Sequence, residues 1–218
     1  RHTWEPFATP LPAPRTQFQL LRHDAQLWVL GGTDFRPDGD GGGEAEASGL
    51  AVLTRTATAG DAPFAPSAFT LPRPRRSFGA AVLGERLLLL GGLGEGFAPA
   101  GPADVLDLAT GEWSELTLPR DWVSPQVAVL GDRLYIACGG TMQGQRFRED
   151  RSLWSWDPQH GFRELLAELP FAVRHVQMLA WRDRLLFWSA NEAANGRLVL
   201  RALRPDHELR PQPAAFER

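Results

Sequence analysis

Apolar residues gather in short runs rather than in the three-and-four spacing of an amphipathic helix. Ser77 to Leu83 is small and apolar, Gly84-Glu85 is a two-residue turn signal, and Arg86 to Leu90 is a continuous apolar run stopped by Gly91-Gly92. This is the pattern of a β-hairpin buried on both faces, and the diglycine supplies positive-φ freedom and close backbone approach where the second strand ends. The pattern recurs. Leu11-Pro12, Leu71-Pro72, Leu118-Pro119 and Leu169-Pro170 are each followed, 12 residues after the proline, by a turn position: Asp24, Gly84, Gly131 and Arg182. The second strands then read Gln26 to Leu30, Arg86 to Leu90, Arg133 to Ala137 and Arg184 to Trp188, followed by Gly31-Gly32, Gly91-Gly92, Cys138-Gly139 and Ser189-Ala190. The prolines lie 60, 47 and 51 residues apart, a period of propellers and solenoids.

Continuing each repeat predicts four strands per unit. The first runs Gln17 to Arg22, Gln26 to Leu30, Gly49 to Arg55 and about Ser67 to Leu71, with a Gly/Asp/Glu loop at Thr33–Ser48. The second adds Asp104 to Leu108 and Trp113 to Leu118; the third runs Ser124 to Leu130, Arg133 to Ala137, Ser152 to Trp156 and Phe162 to Leu169. The fourth runs His175 to Trp181, Arg184 to Trp188 and Arg197 to Leu203, and Pro211 and Pro213 weaken any outer strand there. Trp4 to Pro12 reads like the close of a repeat, so residues 4–9 are expected to form an outer strand of a closing or preceding blade. The expected organisation is one all-β domain over residues 1–218, with repeats at about 12–71, 72–118, 119–169 and 170–210. Leu87, Leu89, Leu134, Ile136, Leu185 and Phe187 should form its core.

With the repeats aligned, the chain resembles the kelch family of β-propellers. The resemblance rests on Pro12-Ala-Pro-Arg15 and Pro72-Arg-Pro-Arg75, the Gly-Glu and Gly-Asp turns, the strand ending in Gly-Gly, and Asp107-Leu-Ala-Thr-Gly-Glu-Trp113 with Trp156-Asp-Pro-Gln-His-Gly-Phe162. It covers nearly the whole chain. Leu106 stands where the family places an aromatic, and repeats one and four are degenerate. The resemblance implies blades of four antiparallel strands, about four in this chain against the family's usual six or seven. The expectation is therefore part of a larger propeller, completed by another segment, by self-association or by a second chain, or else an unusually small ring.

Composition narrows the functional classes. A net charge of −3 argues against nucleic acid as partner. No stretch of 18 uncharged apolar residues predicts a membrane span, and residues 1–20 hold no apolar core of signal-peptide kind. Arg1 in place of an initiator methionine points to trimming, processing or excision from a longer polypeptide, and the compartment is left undetermined: cytoplasmic, or secreted or periplasmic after processing. The single cysteine, Cys138, excludes an internal disulfide and a multi-cysteine metal site.

In a four-strand blade, the connections from strand two to three and from strand four to the next strand one share a face. That face receives every long loop: Thr33–Ser48, Leu93–Ala103, Thr141–Arg151 and Asn191–Asn195. Long loops on a rigid scaffold carry function. The approaches to the innermost strands on that face are rich in arginine, a group suited to carboxylates and phosphates. The candidate ligand- or partner-binding residues are Arg15, Arg75, Arg76, Arg120, Trp122, Arg146, Phe147, Arg174 and His175, with Phe97 in the same loops. Each arginine has the alternative of tying blade to blade, and each aromatic that of packing against a neighbour.

The resulting expectation is a non-catalytic binding module holding a protein partner or an acidic small molecule or sugar, with no cofactor. The resemblance also admits a carbohydrate-active enzyme, since certain bacterial kelch propellers are sialic-acid mutarotases; Arg76 and Arg174 would then grip the carboxylate and His175 or Glu149 would transfer protons. Asp34, Asp38, Asp40 and Glu44 form a calcium candidate, weighed against a solvated loop because the spacing does not complete a calcium-loop pattern. Tyr135 and Cys138 are three apart on one strand, where alternation directs them to opposite faces and disfavours the copper-site crosslink known in kelch-type oxidases. No hydrolase elbow or P-loop occurs.

Overall fold

The computed structural model describes residues 10–37, 43–47, 50–56, 62–137, 139–144, 146–170, 176–191, 197–205 and 212–213. The proposed strand at residues 4–9 lies outside them. Blade one comprises β1 (Arg15–Thr16), β2 (Gln19–His23), β3 (Gln26–Leu30), β4 (Thr33–Pro37), β5 (Gly43–Ala47), β6 (Ala51–Thr56) and β7 (Ala65–Thr70). Blade two has β8 (Gly79–Leu83), β9 (Arg86–Leu90), β10 (Ala103–Asp107) and β11 (Trp113–Leu116). Blade three holds β12 (Trp122–Val123), β13 (Gln126–Leu130), β14 (Arg133–Ala137), β15 (Gly140–Gln143), β16 (Arg146–Glu149), β17 (Leu153–Asp157) and β18 (Gly161–Leu166). Blade four has β19 (Gln177–Trp181), β20 (Arg184–Asn191), β21 (Arg197–Leu203) and β22 (Gln212–Pro213).

Four of the sheets are four-stranded and antiparallel, each in chain order from innermost to outermost strand: β2-β3-β6-β7, β8-β9-β10-β11, β13-β14-β17-β18 and β19-β20-β21-β22. The repeated turn positions behave alike. Asp24, Gly84, Gly131 and Arg182 all have positive φ, between 50° and 63°, the sign demanded of the first residue in a tight two-residue hairpin. Two of the four are not glycine and accept that strain.

The continuous apolar run of each second strand follows from burial on both sides. In β9, Leu87 and Leu89 pack with Trp28, Leu30 and Val52 of blade one, while Leu88 and Leu90 pack with Leu134, Ile136 and Trp156 of blade three. Tyr135 and Ala137 then meet Met178, Leu185 and Phe187 of blade four. Leu87, Leu89, Leu134, Ile136, Leu185 and Phe187 are all buried, as the repeat pattern requires. The diglycines let blades approach. Gly31 and Gly91 have φ of 56° and 62°, and a Cβ at either would overlap the carbonyl oxygen of Arg75 or Trp122 in the next blade. The second glycine of each pair donates its N–H to that same carbonyl, Gly32 to Arg75 at 2.8 Å and Gly92 to Trp122 at 2.6 Å.

Two of the expected long loops contain strands. Thr33–Ser48 holds the hairpin β4–β5 and Thr141–Arg151 holds β15–β16, each forming a separate three-stranded sheet with β1 or β12. Blade two keeps only the remnant, bridges Arg76↔Leu93 and Leu93↔Pro99 around a short 3₁₀ turn at Glu95–Phe97. The innermost strands begin later than expected because Gln17, Ser77 and Ser124 adopt φ of 55°, 49° and 53°, which bends the chain before each strand. These bends are joined blade to blade: Ser77 N–H donates to the Gln17 carbonyl at 3.2 Å and Ser124 N–H to the Ser77 carbonyl at 2.6 Å.

Candidate functional site

Strand bends and diglycines together bring the approaches to the innermost strands onto one end of the blades, and the arginines there divide by role. Arg15 Nη1 donates to the Gly31 carbonyl at 3.3 Å, and its Nε lies 3.5 Å from Asp34 Oδ1. Arg75 repeats this one blade later, donating from Nη1 to the Gly91 carbonyl and from Nη2 to Pro102 O at 2.9 Å and Asp104 Oδ2 at 2.7 Å. Arg75 and Asp104 are both buried, and Arg73 reaches the other oxygen of Asp104 at 3.0 Å. Desolvation lowers the Arg75 pKa against the pull of Asp104, with Arg73 adding repulsion.

Blade three solves the same problem without arginine at the equivalent position. Trp122 is buried and its indole N–H donates to Asp150 Oδ2 at 3.2 Å, the oxygen that Arg120 Nη1 also reaches at 3.2 Å. Asp150 Oδ1 is taken by the N–H and hydroxyl of Ser152 at 2.9 and 2.6 Å. Arg120 further meets Glu164 Oε1 at 3.5 Å and lies over the Trp154 ring at 5.5 Å. Arg15, Arg75, Arg120 and Trp122 are thus engaged with their own blade's carbonyls and carboxylates.

Arg76 differs. It is 5% exposed, its guanidinium stands 4.0 Å from the centre of the Phe97 ring, and no carboxylate or carbonyl accepts from it among the described residues. Phe97 itself is exposed and held at φ 63°, a conformation that non-glycine residues adopt at a cost. Cation–π attraction of about 0.5–2 kcal/mol does not offset removal of a charge from water, which costs several kcal/mol. Among the described residues no carboxylate compensates this charge.

The remaining candidates spread over the same end. Arg146, Phe147 and Glu149 lie exposed on β16. Arg174, His175, Asp38, Asp40 and Cys138 fall outside the described residues, as does the side chain of Glu44. Asp34, the calcium candidate that is described, is occupied by Arg15. Among the described residues no three His, Cys, Asp or Glu side chains are grouped to hold a metal ion, and no helix is long and apolar enough to cross a membrane.

Two cavities were not legible in the sequence. One, of about 550 Å³, is lined by all four innermost strands and carries amides and hydroxyls from Gln17, Gln19, Ser77, Ser124, Gln126 and Gln177. Gln19, Gln126 and Gln177 each open their strand, whereas Gly79 holds that place in blade two. The other, of about 700 Å³, lies between blades two and three on the short-turn face, with Arg86, Arg133, Asp107, Asp157 and His160 in its wall. Asp107 and Asp157 are bonded by their own turns. Asp107 Oδ1 accepts from the N–H groups of Thr110 and Ala109 at 3.0 and 2.9 Å, which lowers its pKa. Burial acts to raise that of Asp157, but bonds from the His160 N–H and ring and the Gln159 N–H prevail and lower it.

No protein-family profile and no curated protein matches this chain. A solved structure titled "Structure of YjhT", a kelch-repeat propeller protein, superposes with a TM-score of 0.67 at 15% identity, covering 95% of this chain and 67% of that one. At that identity the likeness speaks for fold: an all-β, propeller-like arrangement of four-strand antiparallel sheets.

Proposed function

We propose that this propeller is a non-catalytic binding module whose long-loop face holds an anion, presented by an acidic small ligand or by an acidic segment of a protein partner, with Arg76 as the anchoring charge. The observation that supports the reading is a guanidinium withdrawn from water, stacked on an exposed aromatic, and lacking the carboxylate that its neighbour Arg75 possesses. Two further features fit it. The connections after the second strands of blades one, two and three rise on this face, and β16 adds Arg146, Arg148 and Phe147 at the surface.

The test is a titration of the chain with citrate, N-acetylneuraminate and a poly-glutamate peptide, read by calorimetry. A binder among them should lose affinity roughly 30-fold or more in Arg76→Ala, the consequence of removing one partner of a desolvated charge pair worth about 2–5 kcal/mol. Exchanging Glu85 and Asp132 on the short-turn face for glutamine should leave affinity within about twofold, as expected of exposed charges at a distance. Equal losses in both variants, or a binder indifferent to Arg76→Ala, would remove the site.

A further inference from the structure

The innermost strand of each blade is an edge, since β2, β8, β13 and β19 pair on one side only. The two-residue turns fix which of their backbone groups are left over. The residues flanking such a turn exchange both of their bonds, so every second residue inward from them points its N–H and C=O away from the second strand. Counting back from the flanking residues His23, Leu83, Leu130 and Trp181, such positions include Leu20, Ala80, Val127 and Met178. These four lie at one repeat position, eight residues after Pro12, Pro72, Pro119 and Pro170. All four line the cavity of about 550 Å³ between the innermost strands. Among the described residues none of them makes a backbone bond outside its own hairpin. Ala80 and Met178 are only 4% and 7% exposed, and a buried N–H or C=O without a partner is costly.

Side chains extend the same chemistry. Gln19, Gln126 and Gln177 share one repeat position in the wall, and Gly79 stands there in blade two because a Cβ would lie 2.7 Å from Val127 Cγ1. Gln19 Nε2 donates to the Phe78 carbonyl at 2.7 Å and Gln17 Oε1 accepts from Ser77 Oγ at 3.0 Å, so each amide keeps one end for the cavity. The Gln177 amide, on an exposed residue, is bonded to no other described group. Phe18, Leu21 and Pro125 add apolar surface, and among the described residues no ionisable side chain enters the wall.

We infer that this cavity is a second binding site, independent of Arg76, for an uncharged polyhydroxylated ligand of mono- or disaccharide size. Each of the four backbone positions offers one donor and one acceptor, and a hydroxyl is the ligand group that answers both at once. A carboxylate or phosphate only accepts and would set its charge against the carbonyls, while an ammonium only donates and leaves the N–H groups unanswered. The volume falls within the range of small-molecule sites and is many times the roughly 30 Å³ that one water occupies. The apolar part of the wall suits the C–H faces of a sugar ring. Arg76 is not part of that wall.

Saturation-transfer NMR of the chain with glucose, maltose and inositol, followed by calorimetry, tests the inference. At least one of the three should bind with a Kd of about 1 mM or tighter. For that probe, Gln126→Leu and Gln177→Leu should each weaken binding roughly three- to tenfold, the consequence of one lost hydrogen bond. Arg76→Ala should leave its affinity within about twofold, and saturating citrate should not displace it, which separates failure here from failure of the anion site. Melting temperatures of the variants check the fold, and Gln177→Leu alone, at an exposed position, decides the matter if Gln126→Leu unfolds. No transfer from any of the three probes, or a binder indifferent to both glutamine substitutions, would overturn the inference. A neutral binder lost in Arg76→Ala or displaced by citrate would show one site rather than two and overturn it equally.

Discussion

At the approach to blade two, the blade side and the loop side treat adjacent arginines in opposite ways. Arg75 turns into its blade, where Asp104 and two carbonyl oxygens take its guanidinium. Arg76 turns toward the Glu95–Phe97 loop and, among the described residues, meets an aromatic face. Both are buried. The first is a closed electrostatic unit that links the diglycine at the end of strand two to the start of strand three. In the second, no carboxylate among the described residues compensates the charge. The same contrast separates the two ends of the molecule: the larger cavity has carboxylates capped by their own turns, so volume alone is a poorer guide to binding than an unsatisfied buried charge.

The largest expected effect tests the closed unit. Asp104→Asn should destabilise the fold by about 3–5 kcal/mol in urea denaturation, because it strands Arg75 as an uncompensated buried charge. Arg76→Leu should leave stability unchanged or raise it by up to about 3 kcal/mol in the same assay, since no paired group is orphaned and an uncompensated buried charge is removed. Should Arg76→Leu approach the Asp104→Asn value, the two arginines would be equivalent ties and the contrast would collapse.

Glycine substitutions probe the same divide without touching charge. Gly91→Ala places a methyl on the Trp122 carbonyl at a positive φ and should cost about 2–4 kcal/mol, adding backbone strain to overpacking. Gly96→Ala, at a similar φ but in open space, should cost only about 1 kcal/mol. Thermal melts compare them directly. A smaller effect is expected for Phe97→Ala, about 0.5–1 kcal/mol for the cation–π contact of its exposed ring.

The smallest effect belongs to the short-turn face and depends on pH. Asp107 and Asp157 have pKa values lowered in the folded state from the usual 3.8, so their contribution is fully present above that value and fades as pH falls through their folded pKa values. Asp107→Asn and Asp157→Asn should each flatten the loss of melting temperature on acidification below about pH 4, while leaving the profile above pH 5 parallel to that of the unaltered chain. A profile unchanged below pH 4 would show that these carboxylates are not coupled to folding.

Much of the architecture can be read locally. Period-two and continuous apolar runs, turn residues 12 positions after each Leu-Pro, and Gly-Gly at the strand ends specify short strands, their hairpins and their order. The bounds of β3, β9, β14 and β21 coincide with the apolar runs because each of those strands is closed by a turn whose residues announce themselves. The hairpins inside Thr33–Ser48 and Thr141–Arg151 have the sequence of loops, since segments such as β15 and β16 have little apolar patterning, and pairing with β1 and β12 supplies what their composition does not.

The candidate site was legible only as a set of arginines near one end of the blades. Sequence alone determined that Arg15 and Arg75 are equivalent, that Arg76 stands beside them, and that all lie where long connections gather. Only the tertiary structure decided which arginine is spent and which is free. That decision depends on Asp104, 29 residues beyond Arg75, arriving beside its guanidinium while, among the described residues, only the Phe97 ring and no carboxylate arrives beside that of Arg76. Nor could periodicity show that Trp122 is buried while Phe97 is not, or that Leu20 and Trp181 lack the cover their equivalents enjoy. Strand patterning is set by each residue's own side chain and its near neighbours, whereas charge compensation and burial are set by groups that the chain brings together only after the blades have packed.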